Sequence, residues 1–330
     1  MVLIKGDMFM KKENVLFIKQ FVDSHCYEEQ KSTTLKSVGL FKQRLETLSD
    51  QDFIEVMISC FIPDTYKDNG KKEKLYTKLV ELIVGEWWRR LGGTYELPTK
   101  KSGTEDVELI LGQNSIVCDA KAFRLGRSQK APNVKDFLKL ASVQKWIDNL
   151  IKRYKKAGVQ QNVPGGLVTY SSLHEWEGES EVYQECSDKN TPVVMLPYEV
   201  MAVLLIYKGK FRLEDFLTLW DYDEHFPKTV KSKSEYWAKI NAFMVRLLSI
   251  ENKEYTKLIH DFREKIIRSV EFFKSIINDE VQKNREDILK SLDKFDTLED
   301  LKKYSHETIE SYTNKRNYEY LDRIGNFRKY

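Results

Sequence analysis

The run Ser115-Ile116-Val117-Cys118-Asp119-Ala120-Lys121 decides how this chain is read. Its apolar centre reads as a strand, and Asp-Ala-Lys closes it. Side chains of an extended chain alternate between faces, so Asp119 and Lys121 point to the same side of a sheet. Upstream, Gly112-Gln113-Asn114 reads as a turn and Val107 to Leu111 as a second short apolar strand. The acidic pair Glu105-Asp106 opens that strand, and the twelve residues Val107 to Cys118 separate it from Asp119. Two carboxylates at the ends of paired strands can share a hard divalent cation. With a lysine beside them, that arrangement suits cutting a phosphodiester with metal-activated water. A plainer reading makes Asp119 and Lys121 a salt bridge on an edge strand. The apolar Ile116-Val117 just before them disfavours an exposed edge.

The whole chain sets wider bounds. Its 330 residues can bury a substantial core, as two modules or one large domain. With 41% hydrophobic and 32% charged residues it has the composition of a soluble globular protein. No apolar run approaches the roughly 20 residues that span a bilayer. Met1 to Lys12 lacks the apolar stretch of a secretory signal. Cys26, Cys60, Cys118 and Cys186 are scattered with no C-x-x-C pair, so neither a disulfide framework nor a zinc knuckle is expected, and a reducing cytoplasm is. The five histidines form no H-x-x-x-H group, which disfavours a zinc hydrolase, and the absence of a phosphate-binding loop disfavours an ATP-driven enzyme.

A net charge of +3 hides an uneven distribution. Lys121 to Lys156 contains eleven Lys or Arg against Asp136 and Asp148, which is +9 for the segment and leaves −6 for the rest. A basic block that starts at the candidate catalytic lysine points to a polyanion. Lysines that simply solvate a helix face would give the same count.

Along the chain, residues 13–62 read as helical, up to Pro63 and a polar stretch through Gly70. A long helix from about Lys72 to Leu91 ends at Gly92-Gly93. Short strands are expected at Tyr95–Leu97, Val107–Leu111 and Ile116–Lys121, then a helix at Val134–Lys156. Two more strands, Gly165–Tyr170 and Pro192–Leu196, precede a helix at Tyr198–Tyr207. This order is α/β, with a mixed central sheet flanked by helices. Residues 229–330 carry long helical patterns, including Tyr255–Asn284, and a mixed charge of 21 basic and 18 acidic residues. They read as a helical layer packed on the core. Trp87-Trp88 reads as core rather than as a base-stacking platform.

The motif Asp119-Ala120-Lys121-Ala122-Phe123-Arg124-Leu125-Gly126-Arg127, continuing to Lys135-Asp136-Phe137, resembles the HindIII-type type II restriction endonucleases of the PD-(D/E)XK nuclease superfamily. Glu73-Lys74-Leu75-Tyr76-Thr77-Lys78 resembles a helix of that family, Asp106-Val107 its strand start, and Pro192 to Tyr207 its late strand and apolar helix. The resemblance covers residues from roughly 70 to 210. One departure is a longer insertion, Ile151 to Val163, between the basic helix and the next strand.

The resemblance implies an α/β fold with a restriction-endonuclease-like core at 71–210. An N-terminal helical region at 1–70 and a C-terminal helical region at 211–330, for dimerisation or DNA grip, are added to it. It also selects Asp106 over Glu105 as first metal ligand, with Asp119 and the Ala120 carbonyl beside it and Lys121 orienting or deprotonating the attacking water. The expected cation is Mg²⁺, with Mn²⁺ as substitute. Glu81, in the upstream helix, is an accessory candidate or an ordinary helix glutamate. Asp136 is either a second accessory carboxylate or a helix N-terminal stabiliser. Arg124, Arg127, Lys130 and Lys135 are candidate DNA contacts. Asn133 either reads adenine or caps a helix.

The expected activity is a homodimeric double-strand cut at a palindromic site, AAGCTT if it follows the family's best-known members, leaving 5′-phosphate and 3′-hydroxyl ends. A protective methyltransferase is the implied companion in a prokaryotic cytoplasm. Two other readings stay open: a structure-specific repair or recombination nuclease on the same core, and a non-catalytic DNA-binding protein.

Overall fold

The structure is a computed structural model, and it describes residues 10–26, 31–66, 69–98, 105–125, 140–172, 181–190, 192–292 and 299–325. Helices α1 (Lys12–Val15), α2 (Phe17–His25), α3 (Lys31–Glu46) and α4 (Asp50–Ile58) lead the chain. Ser49 caps α4, its side chain accepting the Asp52 N–H. The helical reading of 13–62 fails at its end: α4 stops at Ile58, and Phe61–Ile62 form a strand, β1. Ile62 precedes Pro63, whose ring disfavours helical backbone at the residue before it.

The long helix α5 (Gly70–Leu91) starts at the Asn69 cap, which accepts the Lys72 N–H. At its other end Gly92 sits at φ 111°, and its N–H reaches the Arg89 carbonyl while Gly93 N–H reaches that of Trp88. That is the paired-bond stop that only a left-handed residue closes easily. Trp87 and Trp88 are fully buried and donate to the carbonyls of Met201 and Ile110, at 3.0 and 2.9 Å. They are core residues, as expected.

The main sheet runs in the order β2 (Thr94–Glu96), β3 (Val107–Leu111), β4 (Asn114–Ala120), β6 (Gly166–Tyr170), β7 (Val193–Pro197). The first three are antiparallel and the last three parallel, so the sheet is mixed. β3 and β4 form a hairpin with Leu111 opposite Asn114, and Gly112 in the loop holds φ 56°. Every residue of β6 and β7 is buried, as parallel strands covered on both faces require. A second small sheet pairs β1 with β5 (Phe123–Arg124) in parallel, tying the N-terminal helices to the chain just after Lys121.

Helices cover both sides. α5 packs on β2, β3 and β4, and α6 (Leu140–Ala157) on β4 and β6. After α7 (Glu181–Cys186), the apolar helix α8 (Tyr198–Ile206) touches β7, α4 and α5. Short helices α9 (Leu213–Leu217) and α10 (Tyr222–His225) lead to α11 (Lys233–Leu248), α12 (Asn252–Leu292) and α13 (Glu299–Gly325). α12 has 41 residues, about 60 Å of helix. It lies on α8, and α13 packs back along it.

Polar links tie this layer down. Glu199 of α8, buried, accepts from Ser172 at 2.6 Å and meets Arg263 of α12 at 3.5 Å. Arg316 of α13 donates to the carbonyl of Asp64, 252 residues upstream, at 3.4 Å. One hydrophobic core runs through the N-terminal helices, the sheet and the C-terminal layer. Among the described residues no helix is long and apolar enough to cross a membrane.

Candidate active site

The register of the β3–β4 hairpin sets the site. Val107 lies opposite Cys118, and Asp106 immediately precedes that pair at the start of the strand. The Asp106 N–H still bonds the Cys118 carbonyl at 3.1 Å, and its side chain accepts the Ala120 N–H at 3.1 Å. N–H and C=O of one paired strand residue face the same neighbour, so the Ala120 carbonyl is turned to the Asp106 side. On the other edge, Lys121 N–H bonds the Thr169 carbonyl at 2.9 Å, fixing the lysine just past the strand end. Its Nζ lies 2.8 Å from Asp119 Oδ2, as the alternation of strand side chains predicts.

Glu81 joins this group from α5. It is 3% exposed, takes an ion pair from Lys78 one turn before it, and is close enough to Asp119 for the two charges to interact. Burial raises the Glu81 carboxyl above the usual range, with Lys78 opposing and Asp119 adding to the shift. Asp106 is raised to about 8, first by burial, then by the charges of Asp119 and Glu81 and a hydrogen bond to Asp119, with Lys121 opposing. The neighbouring Cys118 thiol is pushed up by burial and by the same three carboxylates, so it stays neutral rather than thiolate.

Three crowded, desolvated carboxylates leave negative charge in search of a cation. Among the described residues no three His, Cys, Asp or Glu form a ready-made metal cage. Asp106, Asp119 and one backbone carbonyl nevertheless match the few oxygen ligands of a Mg²⁺ ion that keeps several waters. With the only nearby thiol neutral, the donor set suits a hard cation and not a soft one.

Arg124 reaches a different partner. Its guanidinium meets both Glu73 oxygens at 2.8 Å, between β5 and the first turn of α5. Glu105 and Asp106 part company: Glu105 turns to Arg153 of α6 at 3.1 Å, which also meets Glu108. Arg127, Lys130, Asn133, Lys135 and Asp136 lie outside the described residues.

Some partners were not read from the sequence. Lys78 sits three residues before Glu81, an i,i+3 spacing that was legible. The pairing of Arg153 with the buried Glu105 and Glu108 was not, because the partners lie 48 and 45 residues apart.

A mixed sheet flanked by helices, with helical additions at both ends, is the architecture of the restriction-endonuclease class. The HindIII restriction endonuclease family profile matches residues 31–304, most of the chain, and the protein belongs to that family. A comparison with curated proteins gave no match.

Proposed function

We propose that the protein is a Mg²⁺-dependent type II restriction endonuclease that cuts both strands of a palindromic DNA site as a homodimer. The observation that carries this is the convergence of Asp106, Asp119 and Lys121, with Glu81 behind them, at one end of the β3–β4 hairpin. Asp106, Asp119 and the Ala120 carbonyl would hold the cation. When bound, it supplies Lewis acidity at the phosphoryl oxygen and favours ionised water.

The protein's own groups do the rest. Lys121 orients the attacking water or takes its proton, and its ammonium offsets charge that develops on the phosphorane. Glu81 adds negative charge behind Asp119, which strengthens cation binding. The basic block from Lys121 to Lys156 grips phosphates, with Arg124, Arg127, Lys130, Lys135 and Asn133 nearest the scissile bond. Residues 71–210 form the catalytic core in this reading, and the flanking helical regions support dimerisation and DNA grip. The products carry 5′-phosphate and 3′-hydroxyl ends, and a methyltransferase of the same specificity protects the host DNA.

The test is digestion of unmethylated phage DNA with Mg²⁺ beside an Asp119→Ala control, with fragment ends sequenced and AAGCTT checked first. Discrete bands with one end sequence, absent for the variant, support the proposal. A smear, or cutting confined to branched DNA, replaces it with a structure-specific nuclease. Salt-sensitive binding without cutting in Mg²⁺ or Mn²⁺ removes the catalytic assignment.

A further inference from the structure

The segment Ile151 to Val163, the insertion that sets this chain apart from the motif pattern, lies against the hairpin that carries both aspartates. Arg153 of α6 places one guanidinium nitrogen on Glu105, at 3.1 Å, and on Glu108. These two glutamates bracket Asp106-Val107, and each is at most 3% exposed. Next to it, the Tyr154 hydroxyl donates to Glu108 and lies 2.9 Å from the Ser115 hydroxyl. Further on, Ser115 N–H bonds the Asn162 carbonyl at 2.8 Å, and Asn162 N–H bonds the Gln113 carbonyl at 2.7 Å. One stretch of chain thus holds the hairpin at its open end, beside Asp106, and at its turn.

Two buried carboxylates one and two positions from a third, Asp106, would repel one another and open the start of β3 if left unpaired. Arg153 is the cation that meets both. That one nitrogen carries two N–H donors, one for each carboxylate. The same helix belongs to the basic block. Contact of that block with DNA therefore bears directly on the strand that positions a metal ligand.

We propose that Arg153 is a positioning residue: by clamping Glu105 and Glu108 it fixes Asp106 in the geometry that binds the catalytic cation. The proposal rests on the nuclease reading above for its last step, but not for the metal-binding step. Charge and position predict opposite signs, which makes the idea testable. Removing a nearby cation would by charge alone tighten metal binding, whereas loss of the clamp weakens it.

The experiment compares the full-length wild type with Arg153→Met, Arg153→Lys and the triple variant Arg153→Met/Glu105→Gln/Glu108→Gln. Free Mn²⁺ is followed by electron paramagnetic resonance without DNA, DNA affinity is measured in EDTA, and single-turnover cutting is measured in Mg²⁺. For Arg153→Met the expectation is Mn²⁺ affinity down about tenfold and cutting down about 100-fold, the scale of a 1 Å misplacement. DNA affinity should stay within about threefold, the loss of one phosphate contact being larger across 50–200 mM salt. Arg153→Lys should recover part of the Mn²⁺ affinity.

Wild-type or tighter Mn²⁺ binding by Arg153→Met overturns the proposal, and a loss confined to DNA affinity makes Arg153 a phosphate contact instead. If Arg153→Met does not unfold cooperatively, the triple variant is compared with Glu105→Gln/Glu108→Gln, which keeps Arg153: weaker Mn²⁺ binding by the triple variant, although it has one cation fewer, supports the clamp, and equal or tighter binding overturns it. Failure of the wild type itself to cut would count against the nuclease reading and leave the Mn²⁺ comparison standing.

Discussion

Without a cation, the Asp106 carboxyl keeps its proton up to about 8, because burial and the charges of Asp119 and Glu81 disfavour the carboxylate. The unfolded chain releases that proton near the ordinary value of about 3.9. Between those limits the folded state binds more protons than the unfolded one, so its stability falls as pH rises. In EDTA, the stability lost between pH 6 and pH 8 should be smaller for Asp106→Asn than for wild type by more than about 1.4 kcal/mol, the worth of one pKa unit. Urea unfolding of the two proteins at both pH values measures it, and equal losses would show that Asp106 is ionised throughout. Cation binding must expel the same proton, so Mn²⁺ affinity of the wild type should climb with pH until about 8.

Glu81→Gln offers a second measurement at this scale. It keeps the shape of the side chain and removes charge beside Asp119. Metal affinity should fall by about tenfold, as outer-shell changes do, while DNA binding in EDTA stays unchanged. A calorimetric titration with Mn²⁺ reads the first and a gel shift the second. Unaltered affinity would make Glu81 an ordinary partner of Lys78.

Among the elements, α5 carries Glu73, Lys78 and Glu81 and so places three side chains of the site at once. Its interior glycine is not a flaw to be repaired. Alanine at a helix interior normally gains up to about 1 kcal/mol over glycine. At Gly85, though, the new methyl would lie 2.4 Å from the Tyr95 ring, which packs across the helix from β2. Gly85→Ala should therefore destabilise, by about 1–3 kcal/mol as overpacked sites do, and a thermal melt checks the sign.

The same helix shows what was legible in advance. Its stop at Gly92-Gly93 and the β3–β4 hairpin, with its Gly112 loop, were read from local chemistry, because caps and turns depend on few residues. The nearness of Lys121 to Asp119 was legible for the same reason, strand alternation, whereas the choice of Asp106 over Glu105 came from the family resemblance. The parallel pairing of β1 with β5 left no trace, since each strand is two residues long and the partners are 62 positions apart. Nor did the burial of Glu105 and Glu108, which depends on an arginine more than 40 residues away.

On the scale of the whole molecule, the C-terminal layer is anchored by a buried charge. Arg263→Met would remove the guanidinium that meets buried Glu199. Because Arg263 is 23% exposed, the expected cost is about 2–3 kcal/mol, below the range for a fully buried pair. Denaturant unfolding measures it, and a variant as stable as wild type would show that the pair adds nothing to the anchoring. The uneven charge acts at this scale too. If roughly six to ten phosphates are met, DNA affinity should fall by about 10³–10⁵-fold between 50 and 200 mM salt, which a titration by fluorescence anisotropy resolves.

The bond from Arg316 to the Asp64 carbonyl also has a meaning in time. A ribosome adding about 5–20 residues per second needs roughly 10–50 s to travel from the acceptor to the donor. For most of that interval the nascent chain holds the segments that carry Glu81, Asp106, Asp119 and Lys121, while the helix that closes over the N-terminal flank has yet to be made. Synthesis of α13, rather than assembly of the sheet, is thus the event that seals this side of the protein.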